Sequence, residues 1–120
     1  MSLLPTPDIG RAAAEAFVAA YLGHLVCDDV AGSVEFRGGQ RGANTALAAF
    51  DVSGYARNRS EVLPVARRGA SALSPYIRHG LLTLPQVWQH VAGGPERDVK
   101  KFRDELLWQE FARHWYSRLG

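Results

Sequence analysis

Apolar residues recur at helical spacing over two long stretches in the first half of the chain. The first stretch covers about residues 9–26 and follows a polar cap at residues 6–8. The second stretch predicts a helix over about residues 40–57, with an inner face of Ala43, Ala46, Leu47, Phe50 and Gly54 or Tyr55. After it, Pro64 and Gly69 interrupt any helical period, so residues 58–73 are predicted to be irregular.

Three further helices are predicted in the second half. A short helix is expected to start at Ser74 and to end near Gly80. Thr83 is a cap for the next helix, and Gly93 follows the end of that helix. The last helix covers about residues 95–119. No alternating run longer than four residues appears, so the sequence predicts an all-α fold.

Charge is unevenly distributed along the chain, whose net charge is +2. Residues 1–35 carry a net charge of −4, residues 36–80 carry +5, and the remainder carries +1. Every base in the central segment is an arginine, which suits bidentate phosphate contacts. A solvated basic face is the usual explanation of such a cluster. Because Arg67 and Arg68 flank a turn of small residues, a polyanion, either cofactor or nucleic acid, is the better interpretation.

Composition limits the class of protein. The 120 residues, of which 47% are hydrophobic, allow one domain with a real core. No apolar run approaches the roughly 20 residues that a membrane span requires, and the first residues lack the pattern of a signal peptide. We therefore expect a cytoplasmic protein with no membrane partner. The single Cys27 excludes an internal disulfide, is expected to be half-buried at a helix end, and gives no metal site.

A turn of small residues lies beside the basic cluster, where residues 69–80 read G-A-S-A-L-S-P-Y-I-R-H-G. Such a turn, where it opens a helix, offers free backbone N–H groups and the positive end of the helix dipole to a phosphate. Ser71 and Ser74 lie in the turn, and its glycine and alanine residues leave the backbone accessible. The turn fits a dinucleotide pyrophosphate, although a Ser-Pro helix start is also typical of plain capping.

The last helix carries an acid, an amide and an indole on one stripe. At about 100° per residue, Phe102, Glu105 and Gln109 fall within roughly 60° of one another, and Trp108 lies roughly 60° beyond Glu105. Apolar residues occupy other sides too, so we expect this helix to be buried nearly all round and Glu105 to line a cavity wall. On an ordinary amphipathic helix, Trp108 would instead be a core residue beside a solvated Glu105.

Two motifs carry a family resemblance: the turn at residues 69–80, and E-L-L-W-Q-E-F-A-R-H-W at residues 105–115. In order and spacing they resemble the FAD-binding domain of the DNA photolyase and cryptochrome family. There a loop close to T-S-x-L-S-P-Y-L-x-x-G precedes a helix close to E-L-x-W-R-E-F-x-x-H. The resemblance covers about residues 36–120, after an acidic helix and loop in residues 1–35. It implies the helical first half of a photolyase-type FAD-binding domain.

The resemblance implies FAD as cofactor and damaged DNA as partner. It places Glu105 and Trp108 at the pocket for a flipped-out pyrimidine dimer, where Trp108 stacks and Glu105 bonds a base edge and is a candidate proton partner. Arg67 and Arg68 become candidate DNA contacts. Cofactor contacts are implied for Tyr55, Ser71, Leu73, Ser74, Phe102 and Gln109.

The activity implied is that of a photolyase, which splits pyrimidine dimers by electron transfer from excited, reduced FAD. The alternatives are a cryptochrome-like light receptor and a helical nucleic-acid-binding module without flavin. Ala70, Ala72 and Gln109, which stand where the family has Thr, Arg and Arg, favour the last alternative. The family's antenna domain and carboxy-terminal half of the FAD domain have no counterpart here. We therefore expect this portion alone to be inactive and to need the missing carboxy-terminal half as its partner.

Overall fold

The computed structural model describes residues 4–6 and 8–119. Within this range the chain forms helices joined by irregular segments and contains no strand, so the predicted all-α class is confirmed. Two compact units divide the chain, Met1–Arg37 and Gly38–Gly120. No helix in the described range combines the length and the apolar content that crossing a membrane would require.

The first unit is built on helix α1, Arg11–Leu22, which continues as a 3₁₀ turn over Gly23–Leu25. Glu15 ties this helix to the loop that follows, since its Oε1 accepts hydrogen bonds from Arg11 Nε and from the Gly32 amide, both at 2.9 Å. These bonds, that of Arg11 first, lower the pKa of the Glu15 carboxyl. No residue of α1, which lies wholly within the described range, is buried.

Helix α1 is shorter than the sequence predicted. Gly10 precedes it with a φ of 117°, a left-handed value that separates the helix from residues 6–8, and no side chain caps the helix. The cap expected at residues 6–8 is therefore wrong; Pro7 within it lies outside the described residues. Cys27 is exposed rather than half-buried, because it lies in the loop beyond the 3₁₀ turn.

The second unit begins with helix α2, Gly39–Ala49. The sequence predicted one continuous helix over about residues 40–57, but the helix ends at Ala49. Asp51 Oδ1 accepts a hydrogen bond from the Ser53 amide at 2.8 Å, and this turn lowers the pKa of the Asp51 carboxyl. Gly54 then takes a left-handed φ of 80°. The chain is thereby turned before the short helix α3, Tyr55–Asn58.

The remaining helices agree closely with the predicted ones. Thr83 and Gln86 form a capping box, in which Thr83 Oγ1 accepts from the Gln86 amide at 3.4 Å and Gln86 Oε1 accepts from the Thr83 amide at 2.9 Å. The predicted cap is confirmed. The elements are a 3₁₀ turn at Val65–Arg67, α4 at Ser74–Arg78, α5 at Leu84–His90, a 3₁₀ turn at Val91–Gly93, and α6 at Glu96–Leu119.

One apolar core holds the second unit together. The predicted inner face of α2 is confirmed, because Ala43 is fully buried and its apolar neighbours one turn on pack against the core. Leu73 brings the loop before α4 into the same core. Buried members are Ala43, Val52, Leu73, Tyr76, Ile77, Leu82, Val87, Val91, Val99, Phe102 and Leu106.

Candidate functional site

The turn before α4, which includes Gly69, is fixed by contacts with the backbone of residues earlier in the chain. The Gly69 amide donates to the Glu61 carbonyl at 2.9 Å. A Cβ at Gly69 would collide with the backbone carbonyl of Asn58. The missing side chain of Gly69 therefore makes room for the chain itself, not for an incoming phosphate as the sequence suggested.

The middle of the turn adopts a costly backbone conformation. Ala72 has a φ of 55° and is the one non-glycine residue with a positive φ in the described range. Left-handed backbone costs an L-residue about 1–2 kcal/mol. Leu73, the next residue, is fully buried, and its amide approaches Ser71 Oγ at 3.4 Å. Burial of Leu73 thus anchors the strained turn, and its side chain packs in the core rather than along a cleft.

Ser74 does not cap α4, contrary to the prediction. The N-cap residue is Leu73, which makes no side-chain cap bond, and Ser74 is the first residue of a helix five residues long, with Pro75 behind it. The Ser74 side chain is exposed, and its hydroxyl has no hydrogen-bond partner among the described residues. That hydroxyl is therefore free to bind a ligand.

A cleft of about 610 Å³ is formed by residues of α4 and of the second half of α6; we call it the α4–α6 cleft. Ser74 and Gln109, predicted cofactor contacts from two separate motifs, both line it. No carboxylate of the described residues lines the cleft. Its other polar or aromatic lining residues are Arg78, His79, Arg113 and Tyr116.

Ser71 lies elsewhere, in a second cleft of about 590 Å³ that we call the arginine cleft. Arg67 and Arg68 line it with Ser71, and so does the carboxylate-bearing Asp51. Arg68 Nε donates to the Val62 carbonyl at 3.2 Å, whereas the Arg67 guanidinium has no hydrogen-bond or ion-pair partner in the described part of the chain. The structure therefore groups Ser71 with the two predicted DNA contacts and separates it from Ser74.

Tyr55 and Phe102 belong to one aromatic cluster. Phe102 is buried, with 2% of its surface exposed, and packs against the rings of Tyr55 and Phe50. Burial first, and then the negative charge of Glu105, raise the pKa of the Tyr55 phenol, while Arg59 opposes the shift. The Tyr55 hydroxyl has no hydrogen-bond partner among the described residues. Phe102 is thus a core residue that supports Tyr55.

Asp98 fixes the start of α3, a role that the sequence analysis missed. Its Oδ2 accepts from the Gly54 amide at 2.9 Å, and its Oδ1 accepts from the Ala56 amide at 2.8 Å. Both donors are amides at the start of α3 that have no partner within that helix. The acid in the first turn of α6 was visible in the sequence, but nothing local indicated a partner more than forty residues earlier.

Glu105 is paired with cations on both sides. Lys101 Nζ lies 2.7 Å from Glu105 Oε1, and Arg59 Nε lies 3.4 Å from the same oxygen. The Glu105 side chain is 38% exposed, so solvent screens these pairs and each contributes little to stability. Glu105 is therefore a solvated, paired carboxylate rather than part of a buried cavity wall. Arg59, which sequence analysis had not singled out, is its long-range partner.

Helix α6 is exposed over its second half, which contradicts the expectation that it is buried all round. Trp108 is 66% exposed and lines a shallow groove of about 400 Å³ with Lys101, Asp104, Leu107 and Phe111. Its ring meets that of Phe111 at 90°, with centroids 5.8 Å apart. Within the described range, no residue of α6 after Leu106 is buried. Trp108 is consequently a surface aromatic and not a core residue.

No protein-family model, no curated protein sequence and no solved structure matches this chain.

Proposed function

We propose that this chain binds FAD in the α4–α6 cleft and belongs to a photolyase-type enzyme that splits pyrimidine dimers in DNA under light. The observation that carries the proposal is that Ser74 and Gln109, from two separate motifs, line one cleft. Its size is within the range of small-molecule sites. An unpartnered serine hydroxyl and the absence of a lining carboxylate in the described residues suit a pyrophosphate.

The cofactor would be held by groups with free donors. Ser74 offers a hydroxyl and Gln109 an amide, each a donor for phosphate or ring oxygens. Tyr55, which the resemblance also implies as a cofactor contact, does not line this cleft. Phe102 backs Tyr55 from the core and fixes its position. When bound and reduced, FAD supplies an electron under blue light and recovers it after the dimer splits.

The groove at Trp108 would receive the flipped-out dimer. Its exposed indole, held edge-on by Phe111, offers a face for stacking, which is what a base taken out of the duplex requires. Glu105 lies about one turn away on α6, outside the lining of the groove, and would accept hydrogen bonds from base-edge N–H groups. Arg59 and Lys101, which pair with Glu105, would offset its negative charge beside the polyanion.

A second candidate is a helical nucleic-acid-binding module without flavin. It is favoured by the separation of Ser71 from Ser74, since the two serines line different clefts and do not converge on one phosphate as arranged. In this module the unpartnered Arg67 would contact backbone phosphates.

The test uses the full-length protein and an oligonucleotide that contains a pyrimidine dimer. We expect a flavin absorption spectrum in the purified protein and loss of dimers under blue light but not in the dark. Ser74→Ala should lower flavin content, since a hydrogen bond to a charged group contributes about 1.5–3 kcal/mol. Ser60→Ala, a matched change at an exposed serine outside both clefts, should not. Flavin without light-driven repair would favour the light receptor, and tight DNA binding without flavin would favour the second candidate.

A further inference from the structure

Two arginines line the α4–α6 cleft at positions that neither motif predicted as ligand contacts. Arg78 ends α4, and Arg113 lies one turn after Gln109 on α6. The loop and helix positions where the resembling family carries arginine are Ala72 and Gln109 in this chain. The cleft therefore obtains its positive charge from different residues.

The two guanidinium groups are available to a ligand. Arg78 is exposed, and its guanidinium has no hydrogen-bond or ion-pair partner in the described part of the chain. Arg113 Nη1 donates to Glu110 Oε1 at 3.0 Å, but the two side chains are 63% and 46% exposed, so solvent screens the pair and it is weak. A guanidinium has five N–H donors, so most of those on Arg113 remain free.

The surroundings favour an anion in this cleft over the arginine cleft. Arg78 and Arg113 share the α4–α6 cleft with the Ser74 hydroxyl, and no described carboxylate lines it. In the arginine cleft, by contrast, a carboxylate, that of Asp51, is among the lining residues. Tyr116 adds an exposed aromatic face to the α4–α6 cleft, which suits a ligand with both phosphate and ring portions.

We propose that Arg78 and Arg113 are the cationic contacts of a dinucleotide pyrophosphate in the α4–α6 cleft and replace the cations absent at Ala72 and Gln109. This inference rests on the proposed function for the identity of the ligand. Bidentate contacts from arginine to phosphate oxygens are charge-assisted and supply direction as well as energy.

The experiment measures binding of FAD and of ADP to the flavin-free full-length protein by fluorescence and calorimetric titration. The double variant Arg78→Gln/Arg113→Gln should bind FAD at least about 10-fold more weakly, since each lost contact involves a charged group. The double lysine variant should recover part of this loss because it keeps the charge. The matched control is Arg41→Gln/Arg97→Gln, which removes two exposed arginines that do not line the cleft.

Each outcome separates this inference from the proposed function. The arginine assignment would be overturned, and the flavin proposal left intact, by either of two results. One is equal FAD affinity of the wild type and the Arg78/Arg113 variant; the other is an equal loss of FAD affinity in the control variant. If the wild type binds ADP but not FAD, and the variant loses ADP binding, the arginine assignment is supported and the flavin proposal is overturned. Absence of both FAD and ADP binding would overturn both. Melting curves of all variants establish that they are folded.

Discussion

The ring of Tyr55 meets the ring of Phe102 edge to face, with centroids 5.0 Å apart and planes at 84°. Tyr55 is the first residue of α3, and Phe102 lies in the second turn of α6, so this contact joins two distant parts of the second unit. Phe50 completes the cluster, with its ring centroid 5.1 Å from that of Phe102. Because aromatic pairs contribute about 0.5–1.5 kcal/mol beyond area burial, the cluster helps to fix Tyr55.

Phe102→Ala should lower the free energy of unfolding by about 3–5 kcal/mol, because it empties a buried aromatic position. Chemical denaturation measures the loss. The matched control is Phe111→Ala, the same change on the same helix at an exposed site, for which we expect less than about 1 kcal/mol. Similar losses in the two variants would contradict the core role of Phe102.

Asp98→Ala should destabilise the second unit by about 1.5–3 kcal/mol, because it leaves the Gly54 and Ala56 amides without their charged acceptor. Hydrogen exchange at these two amides should quicken more than exchange elsewhere in the unit. Asp104→Ala is the matched control, since that carboxylate forms a solvated pair with Lys100 and should contribute less than about 1 kcal/mol. Unchanged exchange at Gly54 and Ala56 would show that Asp98 does not hold α3.

Local patterns predicted most helices but not the break between α2 and α3. Helical spacing identified the buried face of α2 at Ala43, and cap chemistry identified the start of α5 at Thr83, because both signals lie within a few residues of sequence. The break depends on Gly54 in a left-handed conformation and on the distant Asp98 that binds its amide. A periodic pattern holds no information about such a partner.

The sequence likewise predicted part of the candidate site and not the rest. The two motifs led to Ser74 and Gln109, which share a cleft, but the same motifs grouped Ser71 with Ser74, which the fold separates. Apolar residues on every side of α6 suggested that the helix is buried. A sequence pattern shows which positions of a helix are apolar, but it does not show which other elements pack against them. Trp108 is accordingly exposed.

Tyr55 should make stability sensitive to alkaline pH. Its pKa lies above the ordinary value of 10.0, first through burial and then through the charge of Glu105. The unfolded chain therefore loses the phenol proton before the folded protein does. The contribution of Tyr55 is complete below about pH 10 and falls as pH rises from there through the folded pKa. Tyr55→Phe should flatten this fall, measured as the free energy of unfolding between about pH 9 and pH 11.

Glu105→Gln provides a second variant for the same titration. It removes the negative charge that contributes to the raised pKa of Tyr55, so the fall in stability should still begin near pH 10 but should end at a lower pH and be smaller in total, and burial should keep part of it. Identical alkaline profiles for wild type and Tyr55→Phe would contradict the titration of Tyr55 in this range.

Trp108→Ala in the full-length protein should weaken binding to dimer-containing DNA by about 1–3 kcal/mol, the contribution of one base stacked on an aromatic side chain. Its melting temperature should change little, because the indole is 66% exposed. Trp115→Ala is the matched control, since Trp115 lies on the same helix, is 48% exposed and does not line the groove. Fluorescence anisotropy with damaged and undamaged oligonucleotides measures the effect. Equal weakening by the two variants, or on the two oligonucleotides, would mean that Trp108 does not receive the lesion.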